Sequence, residues 1–159
     1  MAIVSRRGRT INTEADFDSY RKASVLPREL LHRRIRDKVW SLFRRGDHDT
    51  AVFQAFREVE IAVRDAGGYE PNMSGVAVMD QAFKPHAGLL SDKTRPEAEQ
   101  LAERRLFAGA IGSYKNPQSH RHVGILSADE AAEMVVFASH LLRIVDARLS
   151  RPQREIPER

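Results

Sequence analysis

One short stretch, Tyr114-Lys115-Asn116-Pro117-Gln118-Ser119-His120-Arg121-His122, gathers a cation, an amide, a hydroxyl and imidazoles into a single turn. A lysine holds phosphate charge, and a histidine moves protons near neutral pH. Together these groups point to cleavage of a phosphodiester, and RNA is the substrate that suits them. A transesterifying ribonuclease needs one group to take the 2′-hydroxyl proton and one to protonate the leaving 5′-oxygen. It also needs a cation or amide to stabilise the phosphorane, and none of the three has to be a metal. Each positioned acid or base contributes roughly 10²–10⁴-fold, and electrostatic stabilisation is often the largest single contribution. The expected roles are His120 as acid and base, Lys115 as phosphate clamp and Asn116 in direct support. Ser119, Tyr114, Arg121 and His122 are candidates for orientation or RNA contact. The competing reading is a capped Asn-Pro loop whose imidazole bonds to backbone.

His120 and His122 stand two apart, but no cysteine and no spaced carboxylate set accompanies them. No metal site and no cofactor are therefore expected. Glu58 and Glu60 lie among apolar positions of a helical stretch; for Glu58 the sequence favours a solvated place. Arg57 and Arg64 are suited either to pair with these acids or to face RNA.

The elements that must position the turn read as helices. Pro27 suits a helix's first turn, Leu31, Ile35, Val39, Leu42 and Phe43 share one face, and Gly46 suits a left-handed cap. Asp47 or Asp49 caps a second helix, with Val52, Ala55, Phe56, Val59 and Val63 on its stripe and Gly67-Gly68 as its stop. The short connection between the two favours an antiparallel pair. A brief helix follows Ser74-Gly75, and Leu89 and Leu90 anchor the next loop. Thr94-Arg95-Pro96-Glu97 has capping-box spacing and opens a helix that ends near Lys115. Pro117 disfavours helical geometry at Asn116. Gly109 and Gly112, late in that helix, suit close packing against a neighbour. Ser127-Ala128-Asp129-Glu130 is a second capping box, and the helix after it carries two overlapping apolar stripes to about Leu149. That width fits a central helix or a homodimer interface.

The expected organisation is a basic arm over 1–26, one helical domain over 27–150 and a charged tail over 151–159. The fold class is all-α, with four to five main helices in antiparallel pairs. The 159 residues, 42% of them hydrophobic, suffice for one core. The absence of cysteine excludes disulfides and thiolate metal sites and fits a cytoplasmic setting. No apolar run approaches a membrane span, and the basic N-terminus lacks a signal peptide's apolar stretch. A net charge of +4 permits a polyanionic partner.

Three separated blocks carry a family resemblance. They are Leu31 to Ile35 with Ser41-Leu42-Phe43 and the run Ala51 to Glu60; Leu106 to Gly112 with Lys115 to Arg121; and Glu130 to Asp146. In this order they resemble the Ymh-type family over roughly residues 28–149. Ymh-type proteins are similar to the HEPN superfamily, and the resemblance implies a HEPN-like helical bundle that dimerises so that two motifs face one cleft. It implies a metal-independent endoribonuclease of toxin–antitoxin or antiphage defence, with RNA as substrate and an antitoxin or defence-complex protein as partner. The superfamily motif is an arginine, a polar residue and a following histidine. The polar residue and histidine match Asn116 and His120, whereas Lys115 stands at the arginine position. Lysine keeps the charge but lacks the planar fork. Some HEPN sites add a helical acid. The alternative within the same resemblance is an inactive module that binds RNA or protein, or serves as a dimerisation subunit.

Overall fold

The computed structural model describes residues 3–4, 10–11, 13–14, 17, 25–117, 124 and 127–150. Among these the architecture is all-α, with five helices: α1 (Arg36–Arg44), α2 (His48–Gly67), α3 (Val76–Ala82), α4 (Glu97–Ala110) and α5 (Ala128–Ser150). A π-helical turn, Ile111–Lys115, continues α4. The only strands among the described residues are a two-residue antiparallel ladder, Ile3–Val4 against Thr10–Ile11, which the sequence pattern does not signal.

The first helix is shorter than the apolar spacing predicts. Pro27 precedes a single 3₁₀ turn, Arg28–Leu30, and Leu31 is extended at φ −80°, ψ 137°. The chain breaks there because α5 holds it. The Ser139 hydroxyl accepts the His32 N–H at 2.7 Å and donates to the Leu30 carbonyl at 3.1 Å, and His32 Nε2 meets the Asp146 carboxylate at 2.9 Å. These partners are over 100 residues away, so local periodicity carries no trace of them. The His32 hydrogen bond is the main force holding the Asp146 carboxyl below the usual aspartate range.

Gly46 takes φ 80° and Gly68 takes φ 62°, the left-handed geometry expected where α1 and α2 stop. Only three residues join these helices, which pack as an antiparallel pair. The second capping box forms, since the Glu130 N–H bonds to the Ser127 hydroxyl at 3.0 Å. The first does not. Asp92 accepts both the Thr94 N–H and its hydroxyl, at 3.2 and 2.6 Å, and α4 starts after Pro96 without a side-chain cap.

The core runs along α2 and α5, which pack against each other. Val135, Ala138, Leu141, Leu142 and Val145 of α5 are buried, while Met134, Phe137 and Ile144 pack at its edge. The wide apolar surface of α5 is thus used within one chain. Phe43, Phe56, Phe83 and Phe107 are fully buried, each contributing roughly 1.5–3 kcal/mol of transfer energy. Phe83 stacks on Phe107 at 4.0 Å, joining α3 to α4. Leu90 is buried as expected, but Leu89 is exposed. At the far end Arg148 of α5 binds Asp92 at 3.2 Å and Glu103 at 2.6 Å, fastening the loop before α4 and α4 itself.

Candidate functional site

The site grows from a polar break in the α2 stripe. Phe56, Glu60 and Arg64 are spaced by four, so they form one row along the helix. Phe56 lies in the core, and its neighbour in that row is a carboxylate with only 4% of Glu60 exposed. A buried charge needs partners, and three converge on it. Arg64 Nη2 donates to Oε1 at 2.6 Å, Lys115 Nζ lies 3.1 Å from Oε2, and the Gly75 N–H donates to Oε2 at 3.0 Å. Arg64 is held in turn, with Nε donating to the Met73 carbonyl at 3.1 Å. Two cations around one carboxylate leave a formal +1, a balance that suits an anionic ligand.

Two backbone irregularities bring these groups together. Gly75 has φ 64°, ψ −139°, a region almost reserved for glycine. This geometry aims its N–H at Glu60 at the start of α3. The π turn is the second. Neighbouring residues of an α-helix point about 100° apart, yet both Tyr114 and Lys115 serve the same row of α2. Tyr114 stacks on Phe56 at 5.0 Å and meets Phe137 edge-on at 6.2 Å, while Lys115 reaches Glu60 one turn further along. Short π-helical insertions recur at functional sites.

Asn116 corrects an expectation. It precedes proline, yet it is right-handed helical at φ −62°, ψ −44°, because the widened turn runs on through it and its N–H bonds the Ile111 carbonyl. Its side chain lies beside Gly75, where an added Cβ would sit 3.6 Å from Oδ1. Gly112 faces Val76 at ordinary contact distance, but Gly109 faces open space, so the expected close packing holds for one glycine only.

Of the candidate residues, Tyr114, Lys115 and Asn116 fall together as described. Ser119, His120, Arg121 and His122 lie outside the described residues. The Gly124 N–H bonds Asp49 of α2 at 3.2 Å.

Sequence reasoning missed Gly75 and left Glu60 undecided. The available signal was the four-residue spacing from Phe56 to Glu60 to Arg64, which places an acid in line with a core aromatic. Glu58 is half-buried, Arg57 is exposed, and neither forms an ion pair among the described residues. No described group of three or more His, Asp or Glu side chains has the spacing of a metal site. No described helix is long and apolar enough to cross a membrane.

A family model described as "Protein of unknown function (Hypoth_ymh)" matches residues 29–145. No curated protein matches the chain, and no solved structure does. The matched span takes in all of α1 to α4, the Glu60–Lys115 pair and most of α5, so the chain belongs to the Hypoth_ymh family.

Proposed function

We propose that this chain is a metal-independent endoribonuclease of HEPN-like type, acting as a homodimer in a toxin or antiphage defence system. The observation that carries this reading is the meeting of Lys115 with the buried Glu60 at 3.1 Å, with Asn116 alongside. The motif's cation thus sits beside a helical acid, as the HEPN resemblance implies. In the proposed reaction the 2′-oxygen attacks phosphorus and the P–O5′ bond breaks. The products are a 2′,3′-cyclic phosphate and a 5′-hydroxyl. His120 relays the proton from the 2′-hydroxyl toward the leaving oxygen, and the Lys115 ammonium offsets charge on the phosphorane. Glu60 fixes that ammonium in place as phosphate approaches. The defence setting, with an antitoxin or complex partner, rests on the resemblance alone.

A second reading is an RNA- or protein-binding subunit without catalysis. It is favoured by the engagement of Lys115, whose side chain is only 16% exposed and already ion-paired. RNA incubated in EDTA with wild type, His120→Ala and Lys115→Ala separates the two. Cleavage by wild type, lost in His120→Ala and reduced in Lys115→Ala, supports the ribonuclease. Cleavage by wild type and His120→Ala alike, or by neither, rejects it.

A further inference from the structure

The charge of this protein is concentrated in one place. Residues 28–45 hold seven cationic side chains against two acidic ones, a net +5 that exceeds the +4 of the whole chain. Residues 46–117 hold eight against eleven, and residues 127–150 two against four. A basic pole, formed by α1 and the turn before it, therefore sits on an acidic helical body. Val39 and Phe43 bury one face of α1, while Arg33, Arg34, Arg36, Lys38 and Arg45 stay exposed and Arg44 is half-buried. Arg28 pairs with Asp37, and little of the remaining charge is neutralised locally. Arg33 and Arg34 make only long contacts, to Asp146 at 3.5 Å and Asp65 at 3.7 Å, and neither Lys38 nor Arg45 forms an ion pair among the described residues.

We infer that this pole binds the phosphate backbone of a nucleic-acid strand. Like charges crowded on a short helix and the segments that flank it destabilise the folded chain unless a polyanion offsets them. α1 rises about 13 Å, the span of roughly four phosphates of one duplex strand at about 3.4 Å each. Arginine predominates, which favours phosphate recognition over simple solubility. Arg34 reaches Asp65, the residue after the Arg64 that holds Glu60, so both cationic features touch one turn of α2, about 100° apart around its axis. The inference takes RNA from the ribonuclease reading as the natural ligand, but it concerns binding only.

Trp40 makes the pole observable. It is the only tryptophan of the chain. Its ring lies under the guanidinium groups of Arg28 and Arg44, at 5.5 and 4.8 Å from the ring centre. A phosphate that draws either arginine away alters the ring's surroundings and hence its emission.

The test titrates the full chain with a fluorescein-labelled, fully 2′-O-methylated RNA of about 20 nucleotides. This probe cannot undergo 2′-hydroxyl attack, so failure of binding and failure of cleavage are read separately. Each lost phosphate contact should weaken binding about fivefold at 0.1 M salt and lower the log–log salt slope by ~0.7. Lys38→Gln with Arg45→Gln should therefore raise Kd about 25-fold. Lys84→Gln with Lys93→Gln removes the same charge from other exposed positions and should change Kd by less than about threefold. Trp40 emission should change in parallel with anisotropy. Equal losses in the two double variants would assign the effect to net charge and overturn the inference. So would unchanged Trp40 emission at saturation, or absence of wild-type binding at low salt. Vesicles of phosphatidylserine and phosphatidylcholine form the rival arm. If they respond to the α1 variant while RNA does not, the pole belongs to a membrane surface and the inference falls.

Discussion

Replacing Glu60 with glutamine keeps the side chain's shape and removes the one negative charge that Arg64 and Lys115 share. The two cations approach the carboxylate at 2.6 and 3.1 Å, so with the width of the carboxyl group they lie within roughly 8 Å of each other. At an effective dielectric of about 20, that spacing corresponds to about 2 kcal/mol of repulsion with nothing between to offset it. Loss of one partner from a buried pair costs about 3–5 kcal/mol in general. Arg64 retains the Met73 carbonyl and part of Lys115 reaches water, which brings the expected loss to about 2–4 kcal/mol. For a chain of this size that is a fall in Tm of about 5–15 °C. Urea unfolding followed by circular dichroism measures it, within a double-mutant cycle using Lys115→Met. Removing Lys115 as well should recover at least about 1 kcal/mol, because the repulsion disappears with it. A Glu60→Gln loss under about 0.5 kcal/mol, or a strictly additive double variant, would refute the idea that this carboxylate organises the site.

Two further outcomes follow from the same geometry. Gly75→Ala has room for its methyl group, which would lie 3.6 Å from Asn116, so its cost is conformational. At φ 64°, ψ −139° that cost is about 1–3 kcal/mol, measurable by thermal unfolding, and cleavage or binding should fall with it because the Glu60 hydrogen bond is displaced. Asp146→Asn should destabilise at neutral pH. The native carboxyl is held below its unfolded value, chiefly by the His32 hydrogen bond and also by Arg33 and Arg34. Its stabilisation is therefore complete above the unfolded aspartate pKa and is lost as pH falls through the lower folded one. Unfolding curves at neutral pH and near pH 3 should show the gap from wild type narrowing in acid.

The parts of the fold legible in the sequence are those decided within a few residues. The glycine stops at Gly46 and Gly68, the Ser127 cap and the apolar stripes of α2 and α5 are all local features. Thr94 shows how a local signal fails locally, since Asp92 two residues earlier competes for the same hydroxyl. The early end of the first helical stretch was illegible for another reason, because Ser139 and Asp146 impose it from the far end of the chain. The Lys115–Asn116 turn was legible by residue type. Its acid was visible only as a four-residue spacing from Phe56. The π turn left one trace, the glycine pair at Gly109 and Gly112, and only Gly112 lies within it.

The same geometry accounts for lysine rather than arginine at position 115. An arginine fork needs two acceptor oxygens side by side. Neither oxygen of Glu60 is free of another donor. Oε1 is taken by the Arg64 guanidinium at 2.6 Å, and Oε2 already accepts the Gly75 N–H at 3.0 Å. Each oxygen keeps one further lone-pair direction, and a compact ammonium at 3.1 Å fills the one on Oε2. A guanidinium there would have to share Oε1 with Arg64 to close its fork, and would crowd Arg64 within like-charge range. The planar fork absent from position 115 is present on α2 instead, bound to the same carboxylate. The cation of the turn and the guanidinium of the helix therefore form one unit, and neither can be exchanged without readjusting the other.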